Sequence, residues 1–253
     1  MRYLRSAIIA FSTYSRLPMP QVEWSEENRR YAMCFFPLVG AVIGGLIWLW
    51  LCMCGWLELN ALVKGAVGAV IPLMVTGGIH MDGFMDTTDA LASWQPKEKK
   101  LEILKDSHVG AFAVMGCAAY MLLMTAFLSM AKPAAGAQVG ACFVLSRALS
   151  AWAVTVFKSA RPEGMLDKFA SASRRRMVSV SGLIYVLVCV VIWCLWEVWL
   201  ALILIAVAAA VTLYYKHMSE KQFGGVTGDL AGWYSQTLEL CLIVAAVMGV
   251  KLL

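Results

Sequence analysis

About seven apolar stretches of roughly 20 residues constrain this chain more than any other feature; they lie near 35–56, 61–79, 109–131, 137–157, 179–196, 199–215 and 231–250. Each is long enough for a helix to cross the hydrocarbon core of a bilayer, where a helix satisfies its own backbone hydrogen bonds. Composition agrees, because 61% of the 253 residues are hydrophobic and only 15% are charged. Mean hydropathy is +0.73, well outside soluble globular usage. The expected fold class is all-α, a polytopic integral membrane helical bundle of about seven transmembrane helices. Residues 1–253 read as one membrane-embedded domain, without internal repeats or a low-complexity tract. Trp193, Trp196, Glu197 and Trp199 between the fifth and sixth stretches read as a tight interfacial turn, since tryptophan concentrates at membrane interfaces.

Loop charges give the orientation. Of the 21 Lys and Arg residues, Lys64, Lys132 and Lys251 fall on one side, Arg147 falls within the fourth stretch, and the rest gather on the side of the amino terminus. By the positive-inside rule that side is the cytoplasm. The net charge of +5 is thus a topology signature, and no nucleic-acid partner is expected. Residues 1–30 read as an interfacial helix and loop. Tyr3, Leu4, Ala7, Ile8 and Phe11 share one face, with Arg2, Arg5, Ser12 and Arg16 largely on the other, as in a segment lying on a bilayer surface. A secretory signal is not expected, because the apolar run Ala7–Phe11 is short and Pro18 and Pro20 follow it. The eight cysteines read as small apolar filler.

Chemistry concentrates in 76–91, which runs into a cytoplasmic acidic-motif loop at 80–108. On a helix, Asp82, Asp86 and Asp89 would share one face. Carboxylates so close repel unless a cation or protons intervene, and hard oxygen ligands suit Mg²⁺ that also holds substrate phosphates. The bland alternative is a solvated helix start favoured by the helix dipole. Gly77 and Gly78 break the preceding helix, and His80 is either a base or a histidine bonded to backbone. Three further segments face the same side: 100–112 with Lys105, Asp106 and His108, 159–165 with Arg161, and 223–229. Gly224, Gly225, Thr227 and Gly228 before the last helix offer backbone N–H groups to a phosphate, or are simply a turn with Asp229 as an N-cap. Asp106 and Asp229 are candidates for a second metal position. Arg161 is the better anion contact, whereas the cluster Arg174–Arg176 is a topology anchor. Arg147 within a span touches substrate or an acidic partner, or forms a buried ion pair; Glu239 in the last helix poses a similar question.

The chain resembles the adenosylcobinamide-GDP ribazoletransferase (cobalamin synthase) family nearly end to end. The resemblance rests on Phe11–Pro20, Phe36–Gly40, Thr76–Leu91, Leu101–Phe112, Ser159–Met165 and Gly224–Asp229. Met85-Asp86-Thr87-Thr88-Asp89-Ala90 stands where Ala-Asp-Thr-Ala-Asp-Gly is more usual, and His108 where an arginine is common. The resemblance implies a bacterial or archaeal (inner) cell membrane and a Mg²⁺-dependent transfer. The adenosylcobinamide phosphate group would pass from adenosylcobinamide-GDP to α-ribazole or its 5′-phosphate, releasing GMP. Expected metal ligands are Asp82, Asp86 and Asp89, with Asp106 and Asp229 for a second ion. Arg161 and Arg147 are the expected anion contacts, His80 or a free aspartate the base, and Lys105 with the glycine loop the phosphate contacts. A homo-oligomer and association with other cobalamin-pathway enzymes are also expected. The competing readings are another Mg²⁺-dependent membrane transferase, of CDP-alcohol phosphotransferase or prenyltransferase type, and a transporter. The first lacks the Ala-Arg that usually follows Asp-Gly, the second lacks another aspartate-rich motif, and the third lacks pseudo-symmetric halves.

Overall fold

The computed structural model describes residues 2–161 and 173–252. Its helices are α1 Arg2–Tyr14, α2 Glu26–Arg29, α3 Ala32–Trp56, α4 Ala61–Thr76, α5 Ile79–Ala92, α6 Lys97–Ile103 and α7 Ala111–Met130. A 3₁₀ turn Pro133–Ala135 leads into α8 Gly136–Val156; α9 Arg175–Cys194, α10 Val198–Phe223 and α11 Gly228–Leu252 follow. The described residues hold no strand, only a bridge between Ser159 and Val226. Pro162–Met165, in one of the segments singled out above, lies outside the described residues.

Six helices, α3, α7, α8, α9, α10 and α11, are long and apolar enough to span a bilayer. The expected seventh, α4, has 16 residues and meets α5 at a bend of 99°. Gly77 (φ 63°) and Gly78 (φ 81°) make that bend in the left-handed region, which side chains disfavour. Segment 80–108, expected as a loop, folds into α5 and α6. With three aspartates in 14 residues, α5 leaves the line of α4 and is not one of the six, although the bent pair taken together is long and apolar enough to count as a seventh, broken span.

Helix α8 is the hub, with 72% of its apolar stretch buried against 22% in α7 and in α9. Small residues let α3 pack onto it backbone to backbone: a Cβ on Gly44 would stand 2.6 Å from the Gly140 carbonyl oxygen. Leu122 of α7, Leu183 and Leu187 of α9 and Leu213 of α10 stay exposed, as lipid-facing positions should. Helix α1 packs on α3 through a face other than the apolar one noted above. Tyr3 and Leu4 are exposed, whereas Ser6, Ile9 and Ala10 are buried toward α3. The Ser6 hydroxyl donates to the Asn28 carbonyl at 2.7 Å, which ties α1 to α2. The expected turn at Glu197 separates α9 from α10. Trp193 differs from its neighbours: it is fully buried and donates from Nε1 to the Gln138 carbonyl at 3.0 Å, while Trp196 and Trp199 are exposed. All eight cysteines are free thiols.

Candidate active site

The site is made where α5 crosses α11. Gly83 and Gly232 permit that crossing, since a Cβ on Gly83 would stand 2.7 Å from the Asp229 carbonyl and one on Gly232 3.0 Å from the His80 carbonyl. Asp82 and Asp86 are thereby brought near Asp229, which lies 147 and 143 positions further along the chain. Glycines also aim the start of α11. Gly224 (φ 80°) ends α10, and Gly225 (φ 155°) lies so close to the Lys158 carbonyl that no side chain fits. Val226 then donates to the Lys158 carbonyl at 2.8 Å and accepts from Ala160 N–H at 2.9 Å. That bridge locks the end of the α8 segment to the start of α11. The Thr227 hydroxyl oxygen accepts from Leu230 N–H at 3.2 Å and caps α11.

These elements enclose a cavity of about 310 Å³ at one end of the bundle. Thr13 and Tyr14 come to it from α1, Met33 and Phe36 from α3, and Ile79, His80 and Asp82 from α5. Ser150, Ala151 and Val154 come from α8, Ser159 and Arg161 from the following segment, and Val226–Asp229, Ala231 and Gly232 from around the start of α11. The positive end of α11 and the Arg161 guanidinium thus face the same space as the Asp82 and Asp229 carboxylates. Arg161 is held by the Leu101 carbonyl of α6 through Nη2 and stands 3.7 Å from Asp229 Oδ2 through Nη1. Its Nε is buried without a partner. The His80 ring packs beside the Tyr14–Phe36 pair, whose own centroids are 4.3 Å apart, at 5.4 Å from Phe36 and 6.0 Å from Tyr14, and its Nδ1 has no partner. Burial, and then the charge of Arg147, push the His80 imidazole down to about 3, so it is neutral at physiological pH.

Among the described residues no three His, Cys, Asp or Glu side chains form a ready metal cage. Mg²⁺ seldom needs one, because one or two carboxylates plus substrate phosphates and water complete its octahedron. The donor set fits such an ion. Burial first, and then the charges of Asp82, Asp229 and Asp89, lift the Asp86 carboxyl to about 6. The sign gives a prediction for the protein free of divalent cations. A raised carboxyl binds its proton more tightly folded than unfolded. Stability therefore falls as pH rises from the ordinary aspartate value, about 3.9, through about 6. In detergent with chelator, Asp86→Asn should raise the thermal midpoint at about pH 7.5 and have almost no effect at about pH 4.5. An equal effect at both would mean that Asp86 carries no such burden.

The remaining sequence candidates sit elsewhere. Both carboxylate oxygens of Asp89 are engaged with the start of α7, accepting from Gly110 N–H at 2.6 Å and Ala113 N–H at 2.8 Å. Asp106 is exposed and bonded within its own turn, accepting from His108 N–H at 3.0 Å with the His108 ring 2.6 Å away. Lys105 is exposed and outside the cavity lining; Gly224, half-buried, and Gly225, buried, also lie outside it, and their part is conformational. Arg147 is fully buried and pairs with the equally buried Glu239, Nη1 to Oε2 at 2.7 Å, so the two intramembrane charges answer one another. Conversely, Tyr14, Phe36, Met33, Ser150 and Val154 line the cavity without having been singled out. The only sequence hint was that Tyr14 and Phe36 fall in two of the motifs carrying the resemblance.

Fold and site together define a multi-pass helical membrane protein with an acidic cavity, flanked by a guanidinium and a helix start, at one end of its bundle. The chain belongs to the family described as cobalamin-5-phosphate synthase, whose model matches residues 6–247. The adenosylcobinamide-GDP ribazoletransferase of Lachnoclostridium phytofermentans is 41% identical over 249 residues, covering 98% of this chain and 95% of the relative. The enzyme of the same name from Desulfitobacterium hafniense is 32% identical over 97% of this chain and 98% of its own length. One from Clostridium botulinum is 28% identical over 97% of this chain and 95% of its own length. No solved structure matches the chain.

Proposed function

We propose that this protein is an adenosylcobinamide-GDP ribazoletransferase working at the cavity between α5 and α11. A ribose hydroxyl of α-ribazole, or of its 5′-phosphate, attacks the cobinamide-linked phosphorus of adenosylcobinamide-GDP. A new P–O bond forms, the bond to the GMP phosphate breaks, and the hydroxyl proton leaves. The products are adenosylcobalamin, or its 5′-phosphate, and GMP. What supports this reading, beyond family membership, is one observation: Asp82, Asp229, Arg161 and the start of α11 share a single cavity. Phosphoryl transfer needs little covalent help from a protein; positioning and charge stabilisation supply most of the acceleration.

Asp82 and Asp229, with Asp86 beside them, would hold Mg²⁺, which when bound neutralises the diphosphate and the charge of departing GMP. Arg161 and the α11 N–H groups bind phosphate oxygens. Neutral His80 accepts a hydrogen bond at Nδ1 and so orients the attacking hydroxyl. An imidazole held at about 3 is too weak a base to keep the proton, which passes to a carboxylate of the cluster. The bias of basic residues toward this end of the bundle supports a cytoplasmic site in a cell membrane.

The test is release of GMP by the purified protein in liposomes, given adenosylcobinamide-GDP and α-ribazole phosphate. Mg²⁺-dependent GMP and cobalamin phosphate in equal amounts are expected. Release that persists unchanged in chelator would remove the metal from the mechanism, and no product from intact protein would reject the reaction itself.

A further inference from the structure

Asp82 and Ile79 line a second hollow as well as the enclosed cavity. This one is an open groove of about 790 Å³ along the α4–α5 bend. Its walls are Leu73, Met74, Met81 and Met85, with Gly77 and Gly78 in the bend and Arg16 contributing the lone cation. Arg16 was read above only as part of a polar helix face. In the structure its N–H donates to the Val75 carbonyl at 2.7 Å, which pins the end of α1 to the end of α4. Its side chain lies across Gly77, where a Cβ would collide with it. The guanidinium is exposed and has no ion-pair partner among the described residues.

Resting on the reaction proposed above, we infer that this groove seats the corrinoid half of the donor, with Arg16 gripping the phosphate that joins it to the nucleotide. Size gives the first reason. The enclosed cavity is at the small end of ligand pockets and takes a nucleoside-sized group, whereas a corrin macrocycle with its amide arms requires an open surface. Lining chemistry gives the second. Methionines make a soft, adaptable apolar wall suited to a broad, irregular ring face, and Met74 in that wall is 71% exposed. Charge gives the third, since a planar guanidinium without an acidic partner matches a phosphodiester oxygen pair. The groove and the cavity meet at Asp82, so a phosphorus held there has corrinoid on the groove side and nucleoside on the cavity side. The groove is therefore a determinant of donor specificity separate from the acceptor site.

The probe is adenosylcobinamide phosphate, which carries the macrocycle and one phosphate but no nucleotide. Its equilibrium binding to the full chain in detergent micelles should weaken about tenfold or more in Arg16→Ala, the scale of a lost charge-assisted hydrogen bond, and recover in part in Arg16→Lys. Met74→Trp, which fills the groove without touching the fold's interior, should weaken the same probe comparably. Neither variant should change α-ribazole binding by more than about twofold. Unchanged probe binding in both variants, or equal losses for probe and α-ribazole, would overturn the inference. Arg16 would instead be a lipid-headgroup contact if Arg16→Ala alters affinity only in anionic vesicles and not in micelles. Wild-type protein that binds the probe as described yet releases no GMP would reject the proposed reaction and leave the groove standing.

Discussion

Asp82→Asn is expected to lower GMP release by about a thousandfold or more while the protein still inserts and folds, because the change removes charge from the point where the cavity and the groove meet. Asp82 is exposed and lies in the first turn of α5, so its contribution to the fold is the interaction of one carboxylate with a helix start. That is worth less than about 1 kcal/mol at such a position. Activity and stability should therefore separate cleanly. Thermal midpoint in detergent would move by a degree or two at most, whereas initial-rate assays with saturating donor and acceptor would fall to background. Turnover within about tenfold of wild type would mean that Asp82 holds no metal and that the acidic cluster serves another purpose.

The second large effect lies in the membrane. Arg147 on α8 and Glu239 on α11 are both wholly buried, and Tyr120 of α7 donates to Glu239 Oε1 at 3.3 Å, so one network clamps three helices. Arg147 also donates to the Phe143 carbonyl at 3.0 Å and to Ser146 Oγ at 3.3 Å. Removing one partner strands a charge away from water, at a cost of about 3–5 kcal/mol. Arg147→Leu and Glu239→Leu should each sharply reduce the folded, monodisperse fraction on extraction. The double variant should recover much of that loss, because apolar replacement of a whole buried pair is often nearly neutral. A double-mutant cycle on thermal inactivation reads the coupling directly. Additive losses would show that the two charges are not partners. If the double variant folds but is inactive, the pair also sets the electrostatics of His80, whose imidazole the Arg147 charge pushes down.

Local features were legible in the sequence, and relations between distant residues were not. The spans were legible because twenty consecutive apolar residues admit few folds other than a membrane helix. The acidic helix face was legible because i, i+4, i+7 spacing is a property of one helix, and α5 bears Asp82, Asp86 and Asp89 as expected. The glycines at 77 and 78 were legible as a helix break, and those at 224 and 225 as a loop or turn, because glycine favours positive φ, and all four have it. Six motif segments sufficed for the family.

Tertiary structure alone decided which of those residues share a site. Asp89 looks like its neighbours in sequence, but the start of α7 takes both of its oxygens, and only packing between α5 and α7 determines that. Tyr14, Phe36, Met33 and Val154 line the cavity yet resemble any lipid-facing or core residue, because hydropathy marks that a side chain avoids water, not which surface it meets. Arg147 and Glu239 were each conspicuous, but their partnership spans 92 positions and exists only once α8 and α11 are packed. Arg16 read only as part of the polar face of α1 until the bend at Gly77 brought it to the groove that Asp82 also lines. Sequence by itself thus determined the class of fold, the membrane and the family, which follow from local hydropathy, spacing and motif. The tertiary structure decided the site's membership, since that depends on helix crossings set by a few glycine contacts between helices far apart in the chain.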